Sequence, residues 1–453
     1  MLYSIPLPYP AETGALFSAL RHLPWPVWLD SGGMSRYDIL TADPVATLVD
    51  DGDAIRLSDA AGVHDVAADP FDLLRDLLAR PVAPLPDIPF AGGALGFWGY
   101  DLARRYHPLP ARDADPAAVP WMAVGIYDWA IIIDHQTQAA RLVSRLRYPE
   151  AEQHLARLVQ QLQAGTAEAA GKPFKVTGEV RANLAAPEYR RAFDAVQHYL
   201  HQGDCYQVNL ARRFSAPAEG DAYPAYLALR RNSPAPFSAF LDWPCAQILC
   251  ASPERFLQVQ GGHVQTKPIK GTRPRHADPA EDARLADDLR THPKDRAENL
   301  MIVDLLRNDL GKNCVAGSVQ TSALFELESY ANVHHLVSTV RGELAPGRDA
   351  LDLLRDCFPG GSITGAPKLR AMEIIEELEP HGRGVYCGAI GYVGFDGAMD
   401  TNIAIRTLVH SGGEVRCWAG GGIVADSEWA AEYQETEDKA AALLELLRRF
   451  VAK

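Results

Sequence analysis

The stretch Tyr386–Gly422, YCGAIGYVGFDGAMDTNIAIRTLVHSGGEVRCWAGGG, decides the fold. It reads as a three-strand meander with turns at Asp396–Gly397 and Ser411–Gly413. Short apolar runs punctuated by Asp-Gly and Ser-Gly-Gly suit antiparallel strands joined by hairpins. Upstream, CYQVNLARRF alternates as a strand, with Tyr206, Val208 and Leu210 on one face and Gln207 and Asn209 on the other. FLQVQGGHVQTKP reads as a hairpin turning at Gly261–Gly262. PEYRRAFDAVQHYLHQGD is a helix: Pro187 suits its first turn, Tyr189, Phe193, Val196 and Leu200 share a face, and Gly203 stops it. Further helices are expected at roughly 294–309, 367–378 and 427–450. Strands joined by hairpins, with helices in separate runs, predict an α+β fold with large antiparallel sheets, not a doubly wound parallel sheet.

Residues 1–165 form an N-terminal region, with strand-like pieces at Val45–Val49 and Ala130–Ile133 and Pro-rich loops such as His107–Pro120. The small, polar run AGTAEAAGKP suggests a linker, placed at 166–186, and 187–453 forms the second region. The chain of 453 residues is 47% hydrophobic, ample for a core. Its net charge of −14 argues against a nucleic-acid or anionic-membrane binder. No apolar run is long enough to span a bilayer, and MLYSIPLPYP lacks the basic and apolar regions of a signal peptide. The seven cysteines have no CxxC spacing, which fits free thiols in a cytoplasmic protein.

Several constellations each carry two readings. Glu428, Glu432, Glu435 and Lys439 line one helix face, either as a solvated acidic stripe or as carboxylates awaiting a cation. Glu298 follows Asp295 in a capping-box pattern and either serves the helix start or binds something. FPGGSITGAPK brings Ser362 and Thr364 to a Gly-rich turn before a helix, either an ordinary cap or an anion site, and it lacks the Walker A spacing. Gly420–Gly421–Gly422 offers free amides or a tight turn. Arg406, expected inside the strand NIAIRT, either grips a carboxylate or faces solvent. His335 is a core histidine or a ligand contact, and Glu254 pairs with Arg255 or acts as an acid. Lys270, in TKPIKGTRPR, is a solvated loop lysine or a held amine. Together they suit a small, doubly anionic substrate, with a cation, Arg406 and Lys270 making the pocket locally positive.

The ordered series SPERF, PIKGTRPR, RAENLMIVDLLRNDLG, VHHLVSTV, PGGSITGAPK, GAIGYVG, NIAIRT, AGGGIVADS and EYQET resembles the chorismate-utilising enzymes over about 187–450. LPWPVWLDSGG and SRYDILTADP extend the likeness to the N-terminal part of the ammonia-using synthases. The resemblance implies an antiparallel β-sandwich wrapped by helices, holding chorismate and Mg²⁺ between the sheets. Water-using members carry a lysine base where this chain has Gln207, so the resemblance implies ammonia as nucleophile. Anthranilate-forming members read PIAGT, whereas those forming aminodeoxychorismate read PIKGT, as here. Lys270 is then a nucleophile adding at ring C2, which lets ammonia enter at C4 and expel it. A neutral Lys270 is required, with Arg273 and Mg²⁺ as contributors to a lowered pKa.

By the same resemblance Glu254 is the general acid, and Glu298, Glu435 and Glu432 are the Mg²⁺ carboxylates. Substrate contacts fall to His335, Thr364, Tyr386, Arg406, Gly420, Gly422 and Lys439. Without a GxCxGHQ-like stretch, a separate glutamine amidotransferase subunit is the expected source of ammonia. Two rival readings are an anthranilate-forming component and a non-catalytic subunit that binds the amidotransferase. The resemblance around LDSGG, SRYD and NSPAPFSAF implies a tryptophan pocket at Ser31, Ser35, Tyr37, Pro236 and Phe237, the other reading being plain core.

Overall fold

The computed structural model describes residues 2–79, 81–111, 115, 119–149, 151–164, 171–330 and 333–451. Residues 166–170 of the expected linker lie outside them. Two large antiparallel sheets form the frame, one of 13 strands and one of 12. The first runs Tyr3–Leu7, Ala139–Ser144, Trp129–Asp134, Tyr37–Thr41, Val27–Asp30, Phe237–Trp243, Ala246–Ser252, Thr407–Ser411, Glu414–Ile423 and Gln207–Glu219. At the centre of the second, Arg255–Gln260, Met399–Ile403, Ala389–Gly394, Gly93–Trp98 and Met122–Tyr127 lie side by side. Each sheet therefore joins a block of strands from before residue 165 to a block from after residue 187, at one seam: Val27–Asp30 beside Phe237–Trp243 in the first and Gly93–Trp98 beside Ala389–Gly394 in the second.

Alternation along each strand builds two cores. On Phe237–Trp243, the side chains of Ala239, Leu241 and Trp243 join Phe97, Leu95 and Ile390 of the other sheet in an inter-sheet core. Phe240 points the opposite way, into a second cluster with Phe17, Trp28, Tyr226 and Leu443 beneath the outer helices. This period of two is what pleated backbone imposes. Burying an aromatic on each side is favourable by roughly 2–3 kcal/mol per side chain. A third cluster seats Tyr189, Phe193, Val196 and Leu200 against Val208, Leu210, Ile374 and Ile423.

The helices fall where the pattern puts them: Ala186–Gln202, Pro293–Gly311, Lys368–Leu378 and Trp429–Arg449. Gly203 caps the first in the left-handed conformation, φ 81°. The hairpin at Gly261–Gly262 is present, with φ of 58° and 81° matching a type I′ turn.

The meander differs from expectation. Tyr386–Gly422 holds four strands, and NIAIRT is not one of them. The chain leaves the second sheet at Ile403 and joins the first at Thr407. The three residues between find partners elsewhere: Ala404 exchanges backbone hydrogen bonds with Gly388 and Cys387, and the Arg406 carbonyl accepts from Ala251 N–H. Arg406 thus sits at a sheet-to-sheet crossing with φ 53°, not inside a strand. Hydrophobic alternation continues through Ile403 and Ile405, which hides the break from a periodicity argument.

Candidate active site

Lys270 owes its direction to a slip in strand register. Strand Ile269–Pro274 pairs with Val333–Glu343, but the register shifts between Ile269 and Thr272. Gly271, inside the shift, has φ 88°, and a Cβ there would lie 2.8 Å from Leu289 Cδ1. A bulge re-aims the residue it contains. Here it turns Lys270 inward, leaving its side chain 12% exposed. The ammonium donates to the Ser362 carbonyl at 3.0 Å and pairs with Glu298 Oε1 at 3.1 Å.

Burial opposes charge on this amine, but the carboxylates of Glu298 and Glu254 outweigh it and hold the pKa above the ordinary lysine value. The lysine alone with its carboxylates is therefore an ammonium. Arg273 plays no part in this, because its guanidinium is committed to Asp288 at 2.8 Å and Asp295 at 2.9 Å. The expectation that Arg273 lowers the Lys270 pKa is corrected accordingly.

Glu254 is 5% exposed and accepts a hydrogen bond from Ser362 Oγ at 2.8 Å. Burial raises its pKa, against the opposing pull of the Ser362 hydroxyl and Lys270. It does not pair with Arg255, which bonds Asp400 at 2.9 Å. Glu298 is not a helix cap. The cap is His292, whose Nδ1 accepts from Asp295 N–H at 3.4 Å, and Glu298 sits a turn further in, facing Lys270. The pair Asp304–Arg307 forms as its i,i+3 spacing requires, at 2.9 Å.

The acidic face of the last helix turns into the same cleft. A Cβ added to Gly421 would lie 2.9 Å from Glu432 Oε2 and 3.3 Å from Glu435 Oε1. One on Gly422 would lie 3.1 Å from Glu298 Oε1 and 2.5 Å from Gln207 Nε2. The glycine run thus leaves room for three carboxylates. Glu435 pairs with Lys439 at 2.5 Å and Glu432 lies 3.8 Å from Lys294. Burial would raise the Glu435 pKa, yet Lys439 brings it below the ordinary carboxylate value. Burial raises that of Glu432, and its Oε2 is buried without a hydrogen-bond partner.

Among the described residues no three His, Cys, Asp or Glu side chains close into a ready-made metal cage. The donor set nevertheless fits Mg²⁺, which takes one or two carboxylates and fills its remaining positions with water and substrate oxygens. An orphaned carboxylate oxygen beside two carboxylates neutralised only by lysines is the observation that carries the fit.

The remaining predicted residues surround this cluster. Arg406 Nη1 donates to the Lys439 carbonyl at 2.7 Å, and Lys439 Nζ to the Gly420 carbonyl at 2.9 Å. Tyr386 is buried and stacks on Trp418, with centroids 6.0 Å apart and planes at 6°. Thr364 is wholly buried, its hydroxyl donating to the Gly360 carbonyl at 3.0 Å. His335 Nδ1 lies 2.9 Å from Thr272 Oγ1, and burial, aided by Arg406, pushes its pKa down to about 4. The imidazole is neutral at pH near 7. Gln207 is fully buried, and neither polar atom of its amide has a hydrogen-bond partner.

Ser31, Ser35, Tyr37, Pro236 and Phe237 lie elsewhere. All five line a separate cavity of about 660 Å³ between the sheets, which none of the catalytic candidates reaches. Sequence reasoning missed Arg383, whose guanidinium is buried beneath the Ser362 turn. Its spacing of four from Glu379 was the available signal.

The profile described as chorismate binding enzyme matches residues 26–445. An aminodeoxychorismate synthase component 1 from Klebsiella aerogenes is 51% identical over 98% of each chain. The protein of the same name from Escherichia coli is 48% identical over 96% of this chain and 95% of its own. Anthranilate synthase component 1 of Streptomyces coelicolor is 40% identical over 92% and 82%. Among solved structures, anthranilate synthase component I from Streptococcus pneumoniae superposes with a TM-score of 0.81 at 33% identity, over 90% of this chain and 92% of that one. Matched by profile across most of its length and by relatives near half identity end to end, this chain belongs to the family of chorismate-binding enzymes.

Proposed function

We propose that the chain is an aminodeoxychorismate synthase component 1, converting chorismate and ammonia to 4-amino-4-deoxychorismate. Relatives near 50% identity bear that name. One observation carries the choice over anthranilate formation: the lysine of PIKGT is buried and aimed into the cleft that holds Glu254 and Glu298. A lysine so placed supplies a nucleophile that alanine in PIAGT cannot.

The residues divide the work as follows. Lys270 must shed a proton before it attacks, and Glu254 must carry one before the C4 hydroxyl can leave. Moving one proton from the ammonium to the carboxylate meets both needs. Lys270 Nζ then forms a bond to ring C2, both ring double bonds shift round through C1, C6 and C5, and the C4–O bond breaks. Its electron pair leaves with the oxygen, which takes the Glu254 proton and departs as water. Ammonia next bonds to C4, both double bonds shift back, and the C2–N bond to Lys270 breaks with its pair returning to the lysine. The incoming nitrogen gives up a proton, and the sum is chorismate plus ammonia giving aminodeoxychorismate plus water.

Gln207 has no proton affinity with which to activate water, so a ready-made amine nucleophile is favoured. Glu298 and Glu435, with Glu432 alongside, would hold Mg²⁺, which supplies neutralising charge and a grip on a substrate carboxylate. Arg406, the Gly420 and Gly422 amides, Tyr386 and Thr364 face the remaining substrate groups. Neutral His335 contacts the ring end, and Lys439 keeps Glu435 ionised. A glutamine amidotransferase subunit supplies the ammonia. A cytoplasmic setting suits seven unpaired cysteines.

Incubation with chorismate, Mg²⁺ and ammonium tests the reading. A product with the mass of aminodeoxychorismate is expected, and anthranilate fluorescence in its place would reject it. The separate cavity is the proposed seat of tryptophan; calorimetry should give heat on titration, and a flat trace removes that part alone.

A further inference from the structure

Ser362 stands between the two groups that exchange the proton. Its hydroxyl donates to Glu254 Oε1 at 2.8 Å, and its carbonyl accepts from Lys270 Nζ at 3.0 Å. Ser362 and Glu254 are each 5% exposed, so the bond between them is shielded from solvent. Its neighbours fix the turn Gly361–Ile363 independently of both groups. Arg383 Nη1 donates to the Ile363 carbonyl at 2.9 Å and Nη2 to the Asn209 carbonyl at 2.9 Å. That guanidinium is itself held by Glu379 at 2.6 Å, and Glu379 Oε1 also accepts from Ala211 N–H at 2.8 Å. The turn is therefore tied to strand Gln207–Glu219 through a buried ion pair. Thr364 Oγ1 closes it from the other side on the Gly360 carbonyl.

We propose that Ser362 is a positioning residue for the amination, one residue setting the spacing of acid and amine by holding Glu254 through its hydroxyl and Lys270 through its carbonyl. The inference rests on the proposed function and adds to it a residue that acts through the acid and the amine, forming and breaking no bond to the substrate itself. Four other groups face Glu254: the Ile269 N–H and Lys270 from the bulged strand, Lys439 from the last helix, and Cys387. Of these, only Cys387 also lies within reach of the Arg383–Glu379 pair. The Ser362 hydroxyl also has an electrostatic effect, since a donor to a carboxylate favours its ionised form. Removing it shifts Glu254 toward the protonated state.

The test is Ser362→Ala in the full-length chain, assayed with chorismate, Mg²⁺ and ammonium across pH. Loss of alignment at the reacting centre lowers kcat by about tenfold to a hundredfold, with KM for chorismate little changed. The alkaline limb of the kcat profile, where the acid loses its proton, moves to higher pH. Ser362→Thr restores both rate and limb. Ser362→Cys, a weaker donor of similar size, gives an intermediate limb and serves if the alanine variant does not fold. A kcat and limb identical to the parent would overturn the proposal. So would parallel losses of kcat, KM and thermal stability with the limb unmoved, the pattern of a merely structural serine. A parent without turnover of chorismate would reject the proposed function itself, whereas an active parent matched by the alanine variant rejects only the role of Ser362.

Discussion

At residue scale, burial and charge compete, and the winner differs from one group to the next. For His335 burial wins: its pKa is pushed down to about 4, against about 6.5 in an unfolded chain. Between those values the unfolded state binds the extra proton. Its contribution to stability is fully present above about pH 6.5 and is lost as pH falls toward 4, on the order of 3 kcal/mol in all. Urea unfolding at successive pH values should show that slope, and a His335→Asn variant should lose it. NMR signals of the ring should stay unshifted from pH 7.5 to about 5.5. For Lys270 charge wins, because Glu298 and Glu254 outweigh desolvation. The sequence motif identified this lysine as special but not its protonation. Charge state depends on which carboxylates the fold brings near, and Glu298 comes from a different element 28 positions on. Likewise, spacing alone paired Asp295 with Glu298 as a cap. The true cap is His292, preceding Pro293.

At the scale of elements, periodicity located the helices and the hairpin because their packing faces repeat along the chain. It failed where the chain changes sheets. Ile403 and Ile405 keep the apolar alternation of a strand, while backbone hydrogen bonds pass to Gly388, Cys387 and Ala251. That crossing places Arg406 against the carbonyl of Lys439 and so beside the carboxylate cluster. A planar guanidinium there can hold one protein acceptor and grip a carboxylate with its other donors. Arg406→Lys, with its single flexible ammonium, should reduce kcat/KM for chorismate by about 10–100-fold while leaving the melting temperature close to the parent. An undiminished kcat/KM would remove Arg406 from substrate binding.

At the scale of the whole molecule, the two sheets are shared between the early and late parts of the chain. Strand Phe237–Trp243 pairs with Val27–Asp30, setting Phe240 opposite Trp28, both fully buried. Gly93–Trp98 pairs with Ala389–Gly394 in the other sheet. A chain sewn together at these seams should unfold in one transition. Phe240→Ala should destabilise that transition by about 3–5 kcal/mol without splitting it; two separate transitions would show that the regions fold apart. Composition and pattern made the α+β class and large antiparallel sheets legible, but not these two seams, since no local feature records which distant strand is a neighbour. Within the late part the bulged lysine, the buried acid and the last helix meet at one cleft. The most direct measurement of what that cleft does is the mass of the intact protein after mixing with chorismate and Mg²⁺ in the absence of ammonia. The parent should gain the mass of chorismate less one water at Lys270, and Lys270→Ala should gain nothing and form no aminodeoxychorismate when ammonium is added. An alanine variant that makes the product at the parent's rate would contradict the account.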